Sequence, residues 1–406
     1  MNKKLIFRYI TIFVIVVETF QFISGYVNIP DIALFFGTIF ASIILYPKAF
    51  LNKSTLWFFI FEAIVFINVI LKGFDFKWFF LLFMYWFFAL SLLNVFLSNK
   101  DIKGLRMIMI ASLIVLVVTT IFTIPQLIIN PDIVRDMAIA TNEHDMGMAQ
   151  IGQRMGLINY GLLHSIPPLF PVLIFNIRNT NSKKSKLLWL CLICLLYFLI
   201  LKSSFGTILI LSTIIIPISL LMTGKKKKDI IIIFSFLIIL LPILNKNTMI
   251  SGLESIKYVF METPVFDKIN DIQKSIDVGD NEGQLSNRNN LYSDSWNAFS
   301  KNPIFGTSND NQVGQHAFIA DFAAWFGLIG VIPLITFFVT TFKRQYRRFD
   351  PKMRTYYLLA LFPFIILCIL KGTPSFEPML YILFIMPLVF QEENRKKIEI
   401  KLVKNS

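Results

Sequence analysis

Four cationic or titratable side chains stand at predicted helix ends, where they could take part in phosphate or proton chemistry. Arg154 precedes an apolar run, Lys202 ends another, Arg288 lies in a long polar segment, and His316 opens the apolar run HAFIADFAAWFGLIG. A planar guanidinium pairs well with phosphate oxygens, and an imidazole suits a general base near neutral pH. Arg288 and His316 are therefore the candidate catalytic residues, and Arg154 and Lys202 are candidates for substrate binding.

Each of these residues also has an ordinary interpretation. An arginine in a polar loop is usually a solvated charge, and a lysine at a helix end often extends its ammonium toward water. His144, between Glu143 and Asp145, could suggest a metal site, but no second ligand cluster accompanies it and a solvated loop is favoured. His164 stands close to Pro167 and Pro168, where a structural role in a kinked helix is favoured.

The elements that position these residues must lie in lipid. Of the 406 residues, 55% are hydrophobic and 16% charged, with 43 Phe, and the mean hydropathy is +0.66. This is too apolar for a soluble domain. The three cysteines all lie in apolar runs, which excludes a disulfide framework. The formal net charge of +14 comes from short basic clusters between apolar runs, which favours membrane topology and predicts no nucleic-acid partner.

The predicted fold class is all-α, a polytopic transmembrane bundle of about twelve helices. The apolar runs that could span a bilayer are 5–24, 31–47, 54–71, 78–98, 107–129, 156–177, 186–203, 205–223, 229–244, 316–342, 355–371 and 376–391. Three parts follow from this layout: a bundle at 1–244, a large loop at 245–315, and a last part at 316–406 with three helices and a basic tail.

The distribution of basic residues predicts the orientation. With the N-terminus inside, the inner segments carry 27 of the 39 Lys and Arg residues, and short cytoplasmic loops are the segments enriched in Lys and Arg. We therefore expect a multi-pass protein of the cytoplasmic (plasma) membrane, with both termini in the cytoplasm and the large loop outside.

The large loop contains a predicted amphipathic helix. Ser286 or Asn287 can cap it, and Asn302–Pro303 can end it. Tyr292 and Trp296 recur on it at helical spacing and are further candidates for substrate binding. Such a helix would lie on the membrane or over the mouth of a cavity.

The motifs around this helix resemble the O-antigen ligase and polymerase family. They are Arg288 and Leu291 on the loop helix, Asn302-Pro303-Ile304-Phe305-Gly306, His316 at a helix start, and Gly327 and Gly330 about a dozen residues later. The resemblance implies a GT-C-like bundle that transfers a glycan from an undecaprenyl-pyrophosphate carrier to an acceptor sugar, without a metal or cofactor. It implies as partners an undecaprenyl-pyrophosphate-linked oligosaccharide, membrane lipid, and the flippase and chain-length regulator of the same pathway.

One segment departs from the family pattern. The family often carries Ser-Arg-Gly before the big-loop pair of helices, where this chain has Ser204-Phe205-Gly206. Lys202 or Arg154 would supply the missing cation. The predicted activity is that of a capsular or exopolysaccharide polymerase. A ligase with another acceptor, a lipid-linked oligosaccharide flippase or transporter, and a signalling or scaffold protein are the alternatives, although transporters usually hold their ionisable residues near the midplane in two related halves.

Overall fold

The computed structural model describes residues 3–19, 31–73, 76–139, 151–152, 154–203, 205–222, 284–308, 312–315, 317–370 and 383–392, with isolated positions between 254 and 273. Within these ranges every regular element is helical. The α-helices are α1 (Lys3–Thr19), α2 (Asp31–Leu45), α3 (Lys53–Lys72), α4 (Phe76–Ser98), α5 (Ile102–Ile129), α6 (Ile133–Ile139), α7 (Tyr160–His164), α8 (Ile166–Asn179), α9 (Lys183–Lys202), α10 (Gly206–Leu221), α11 (Gln284–Lys301), α12 (Phe318–Tyr346), α13 (Pro351–Leu370) and α14 (Leu383–Glu392).

Several of these helices can cross a membrane. By length and composition, α3, α5, α9, α12 and α13 are long and apolar enough, and shorter apolar helices occur in α2, α4, α10 and α14. This confirms a polytopic helical membrane protein. The predicted span at 229–244 lies outside the described residues, so the total of about twelve spans stays a prediction.

The helix α3 packs against α12 more extensively than any other described pair of helices. Phenylalanines fill this contact: the rings of Phe58 and Phe337 lie edge to face at 5.4 Å, and Phe61 stacks on Phe322 at 6.0 Å. Such ring pairs add to the burial of apolar area. The long helix α12 is therefore held along its length by α3.

Contacts between helix ends show which ends lie together. At the end that carries α11, here the loop end, Tyr292 Oη donates to the carbonyl of Leu370 at the end of α13 (2.8 Å). At the opposite end, here the basic end, Arg8 pairs with Asp101, and Arg344 donates to Asn94 (2.7 Å). Helix ends that the sequence places on the same side of the membrane are thus found together.

Two predicted boundaries are corrected. The sixth predicted span, 156–177, begins as a helix only at Tyr160, because the Asn159 side chain accepts the Leu162 N–H (2.6 Å) and caps α7. A turn at Ser165 then separates α7 from α8. The loop helix α11 begins at Gln284, so the predicted cap at Ser286 or Asn287 is wrong, whereas its predicted end before Asn302–Pro303 is confirmed.

Candidate active site at the loop end of the bundle

The loop helix α11 is fastened to α12 by two buried side chains. Ser295 on α11 is fully buried and donates its hydroxyl to Oδ1 of Asp321 in the first turn of α12 (2.6 Å). The other carboxyl oxygen, Oδ2, accepts the N–H of Ala317 (2.8 Å). A buried carboxylate needs such partners, because leaving it without hydrogen bonds is costly. The pair therefore fixes the position of α11 on the bundle.

A break in α12 lies two turns further along. Gly327 adopts φ 60° and ψ −166°, which is not helical, so the single helix predicted over 316–342 is wrong at this point. The segment 302–307, which contains Asn302-Pro303-Ile304-Phe305-Gly306, lies against the break and exchanges backbone hydrogen bonds with it. These bonds run from Thr307 N–H to Ala324 O (2.7 Å), from Leu328 N–H to Pro303 O (2.8 Å), and from Ile329 N–H to Ile304 O (3.2 Å).

The glycines of the two segments allow this close approach. An ideal Cβ on Gly327 would lie 2.2 Å from Ile304 O, and one on Gly306 would lie 2.4 Å from the carbonyl oxygen of Trp325. Gly306 also has a positive φ of 74°. Any side chain at either position would collide with backbone that cannot rotate away. The two motifs of the sequence therefore form one structural unit, in which backbone packs on backbone.

Lys72 completes the unit from a third element. It is the last residue of α3, and its Nζ donates to the carbonyl of Phe305 (2.6 Å) and to that of Trp325 (2.9 Å). The Trp325 carbonyl lies on the N-terminal side of the break, where the helical ladder is interrupted. A backbone carbonyl that has lost its partner in the helical ladder needs another hydrogen-bond donor. Lys72 supplies this donor and ties α3, the 302–307 segment and α12 together.

Comparison with known families supplies an independent observation. Residues 190–329, which run from α9 through the break in α12, match a family model described as O-antigen ligase. The match confirms the family resemblance. None of the curated proteins compared with the chain matches it. The O-antigen ligase match spans both candidate catalytic residues and the whole unit built from 302–307 and Gly327, so the family motifs and the hydrogen-bonded contacts coincide.

Both candidate catalytic residues lie in the segment that matches the O-antigen ligase model. The structure locates Arg288 by its backbone and His316 by its chain neighbours. Arg288 belongs to α11, seven residues before Ser295. Its side chain lies outside what the structure describes, as does the whole of His316. Gly314, two residues before His316, and Ala317, the residue after it, are described and donate their N–H groups to Ser295 and Asp321. The structure thus brings the segments that carry both residues to one place.

The aromatic candidates on α11 differ in their surroundings. Tyr292 is half-buried, and its hydroxyl is bonded to Leu370 O, which gives it a structural contact. Trp296 is 61% exposed and packs its ring against Phe299 at 5.4 Å. Trp296 is therefore the more accessible of the two for a lipid or a sugar.

Arg154 and Lys202, the two candidate cations for substrate binding, do not lie in the Ser295–Asp321 contact. Arg154 is exposed, and the chain after it is tied to α5 by the N–H of Ile158, which donates to Thr123 Oγ1 (2.8 Å). Lys202 ends α9, is half-buried, and lies 5.8 Å from the centroid of the Phe198 ring.

At position 205, where the family often has arginine, this chain has phenylalanine, and other aromatic rings surround it. The Phe205 ring meets Tyr160 at 5.3 Å and the buried His164 at 5.9 Å. The Nδ1 of His164 lies 2.8 Å from Tyr160 O, which agrees with the predicted structural role. Phe205 is therefore part of a packed aromatic cluster.

His144, whose acidic neighbours could suggest a metal site, lies outside the described residues. Among the described residues, no group of three or more His, Cys, Asp or Glu side chains is arranged to hold a metal ion. All three cysteines are free, with Cys191 and Cys194 exposed on the helix surface and Cys368 buried.

Sequence reasoning missed Lys72, Ser295 and Asp321. Asp321 had a visible signal, because an acidic residue within the apolar run HAFIADFAAWFGLIG marks a functional or structural site in a membrane protein. Lys72 had the weaker signal of a cation at a helix end. Ser295 had none, because a serine on an amphipathic helix is common.

Proposed function

We propose that the protein is a polysaccharide polymerase of the O-antigen ligase type. It transfers a glycan from an undecaprenyl-pyrophosphate carrier to a hydroxyl of a lipid-linked acceptor repeat unit, on the outer face of the cytoplasmic membrane. The observation that carries the proposal is the fastening of α11, the helix of Arg288, to the start of α12, beside His316. The family match supports a membrane glycosyltransferase-type enzyme and a lipid-linked oligosaccharide substrate.

The chemistry follows from the two side chains. His316 accepts the proton of the acceptor hydroxyl, and the hydroxyl oxygen forms a bond to the anomeric carbon of the donor sugar. The bond from that carbon to the pyrophosphate oxygen breaks, and the electron pair leaves with undecaprenyl pyrophosphate. Arg288 stabilises the charge of this leaving group through paired hydrogen bonds. The step requires no metal or cofactor.

The remaining residues have supporting roles in this proposal. Arg154 and Lys202 bind anionic parts of the donor from other helix ends, and Trp296 and Tyr292 provide apolar or stacking contacts for carrier or sugar. The loop end faces outward because the opposite end collects the basic residues. Both termini then lie in the cytoplasm, the parts 1–244, 245–315 and 316–406 keep their predicted roles, and the flippase and chain-length regulator of the pathway are the expected partners.

A ligase is the second candidate, because the matched family model is described as O-antigen ligase. It would use the same residues and the same donor with a different acceptor. The two activities differ in the product that accumulates when the enzyme is missing.

Substitutions at the two catalytic candidates test the proposal. Arg288→Lys should lose nearly as much activity as Arg288→Ala, because an ammonium retains the charge but loses the two-pronged geometry. His316→Ala should lower turnover by roughly 100-fold or more and leave binding of the carrier lipid largely intact. The measurement is the ladder of polymer lengths on a gel, beside the pool of lipid-linked single repeats.

Arg135→Ala is the matched control. Arg135 lies on the short helix α6, which follows the end of α5 that is predicted to be on the outer side of the membrane, like Arg288. It should give a wild-type ladder. Wild-type ladders from Arg288→Ala and His316→Ala, at matched protein levels, would remove both residues from the mechanism.

A further inference from the structure

The Ser295–Asp321 pair contacts more than its two helices. Ser295 Oγ, while it donates to Asp321, also accepts the N–H of Gly314 (2.9 Å). Asp321 in turn accepts the N–H of Ala317 through its other oxygen. One hydrogen-bonded network therefore holds α11, the short segment before α12, and the first turn of α12.

This network reaches both sides of His316 in the chain. Gly314 lies two residues before it and Ala317 one residue after it. The Gly314 N–H donates to Ser295, and the Ala317 N–H donates to Asp321. Between them, Gln315 has a positive φ of 57°, which is uncommon for a residue other than glycine. An ideal Cβ on Gly314 would lie 2.0 Å from Leu291 O, so the segment is pressed against the backbone of α11. A strained turn of this kind persists only where its surroundings determine it.

The polarity of the pair calls for an explanation beyond packing. Ser295 and Asp321 are 0% and 2% exposed, and taking a carboxylate out of water is costly even when it is paired. Apolar residues of similar size would fill the same space without that cost. The polar pair adds directional contacts, because two of its hydrogen bonds fix the orientation of the backbone N–H groups of Gly314 and Ala317, on either side of His316.

We propose that Ser295 and Asp321 are positioning residues, which hold the backbone on both sides of His316 against the helix of Arg288 in the geometry that transfer requires. This inference rests on the proposed function. Arg288 is seven residues, or about 10 Å of helix rise, from Ser295. Seven residues are close to two turns, so both backbone positions lie on the same side of α11. The pair therefore sets the relation between the two catalytic candidates, and a displacement near 1 Å in such a site can lower turnover about 100-fold.

The test compares variants of the full-length protein in lipid nanodiscs. The donor is the lipid-linked glycan extracted from cells that lack the gene. Ser295→Ala and Asp321→Ala should lower kcat about 10- to 100-fold and change KM for the donor less than about threefold. Ser219→Ala is the matched control, because Ser219 is equally buried but its hydroxyl donates to Ile215 O within its own helix, α10 (2.6 Å). It should leave kcat unchanged.

A conservative variant separates hydrogen-bond geometry from simple loss of packing. In Asp321→Asn, the amide oxygen can accept the Ala317 N–H and the NH₂ group can donate to Ser295. This variant should therefore restore kcat to within about tenfold of wild type. If Asp321→Ala does not fold, Ser295→Ala carries the test, because it removes a single hydroxyl.

His316→Ala is measured in parallel so that two kinds of failure can be told apart. Wild-type kcat in Ser295→Ala and Asp321→Ala, beside an inactive His316→Ala, would overturn the positioning role alone. Equal losses in Asp321→Asn and Asp321→Ala, or an increase in KM without a change in kcat, would overturn it too. A fully active His316→Ala would instead overturn the proposed function.

Discussion

Gly327 can be replaced by alanine to test whether the break in α12 depends on backbone contact with the 302–307 segment. At φ 60° and ψ −166°, an alanine costs about 1–3 kcal/mol in conformational strain alone. Its Cβ would also lie 2.2 Å from Ile304 O and 2.7 Å from Phe305 N, so the segment must move. That movement weakens three backbone hydrogen bonds worth about 1 kcal/mol each. The free energy of unfolding should fall by about 3 kcal/mol or more.

Two other glycines separate the cost of the backbone conformation from the cost of moving the 302–307 segment. Gly73 has φ 71° with no atom within 4 Å of an added Cβ, so Gly73→Ala measures the cost of a positive φ alone, about 1–2 kcal/mol. Gly37 lies within α2 and also has open space, so Gly37→Ala should be neutral or stabilise the protein by up to about 1 kcal/mol. The assay is thermal unfolding of the purified protein in detergent, together with the polymer ladder in cells. The reasoning fails if Gly327→Ala destabilises the protein no more than Gly73→Ala does.

Three further predictions concern the rest of the bundle. Lys72→Met should destabilise the protein by about 1–3 kcal/mol and shorten the polymer ladder, because two carbonyls lose their donor; Lys301→Met, which removes an exposed cation from α11, should do neither. At the basic end, two effects act on the pKa of the Asp101 carboxyl. Burial raises it, but hydrogen bonds from Arg8 and from the Gly104 N–H lower it more. The pKa therefore stays below its ordinary value of about 4. The stability that this pair contributes is therefore present above that pH and is lost as the pH falls further, so thermal unfolding across acidic pH should show a steeper loss in wild type than in Asp101→Asn. In a cysteine-free protein, Ser300→Cys should react with an impermeant thiol reagent in intact cells and Asn181→Cys only after lysis, since both positions are exposed and lie at opposite ends of the bundle; labelling of Asn181→Cys in intact cells would reverse the proposed orientation.

Properties of continuous segments could be predicted from the sequence. Long apolar runs gave the helical membrane fold, because lipid requires backbone groups to be satisfied within each helix. The end of α11 before Asn302–Pro303 was also predictable, since proline disfavours helix at the residue before it. The start of α11 was not, because Ser286 and Asn287 resemble capping residues in the sequence but lie inside the helix, which begins at Gln284.

Contacts between distant segments could not be predicted in the same way. The residues next to Gly327 are apolar and do not indicate a break, and the hydrogen bonds that compensate for the break come from the 302–307 segment. Lys72 binds a carbonyl 233 positions further along the chain. The sequence motifs predicted a site around Arg288 and His316, whereas the Ser295–Asp321 network that fastens this region could be seen only in the fold.

The lipid-linked glycans of cells that lack the gene test the central claim most directly. Extraction and mass analysis of these glycans should show single repeat units accumulating on the carrier, accessible at the outer face, with no polymer ladder. A plasmid copy of the wild-type gene should restore the ladder, and a copy with His316→Ala should not. Complete polymers that remain on the carrier would contradict polymerisation and identify a ligase. Single repeats trapped on the inner face would contradict glycan transfer altogether and identify a flippase.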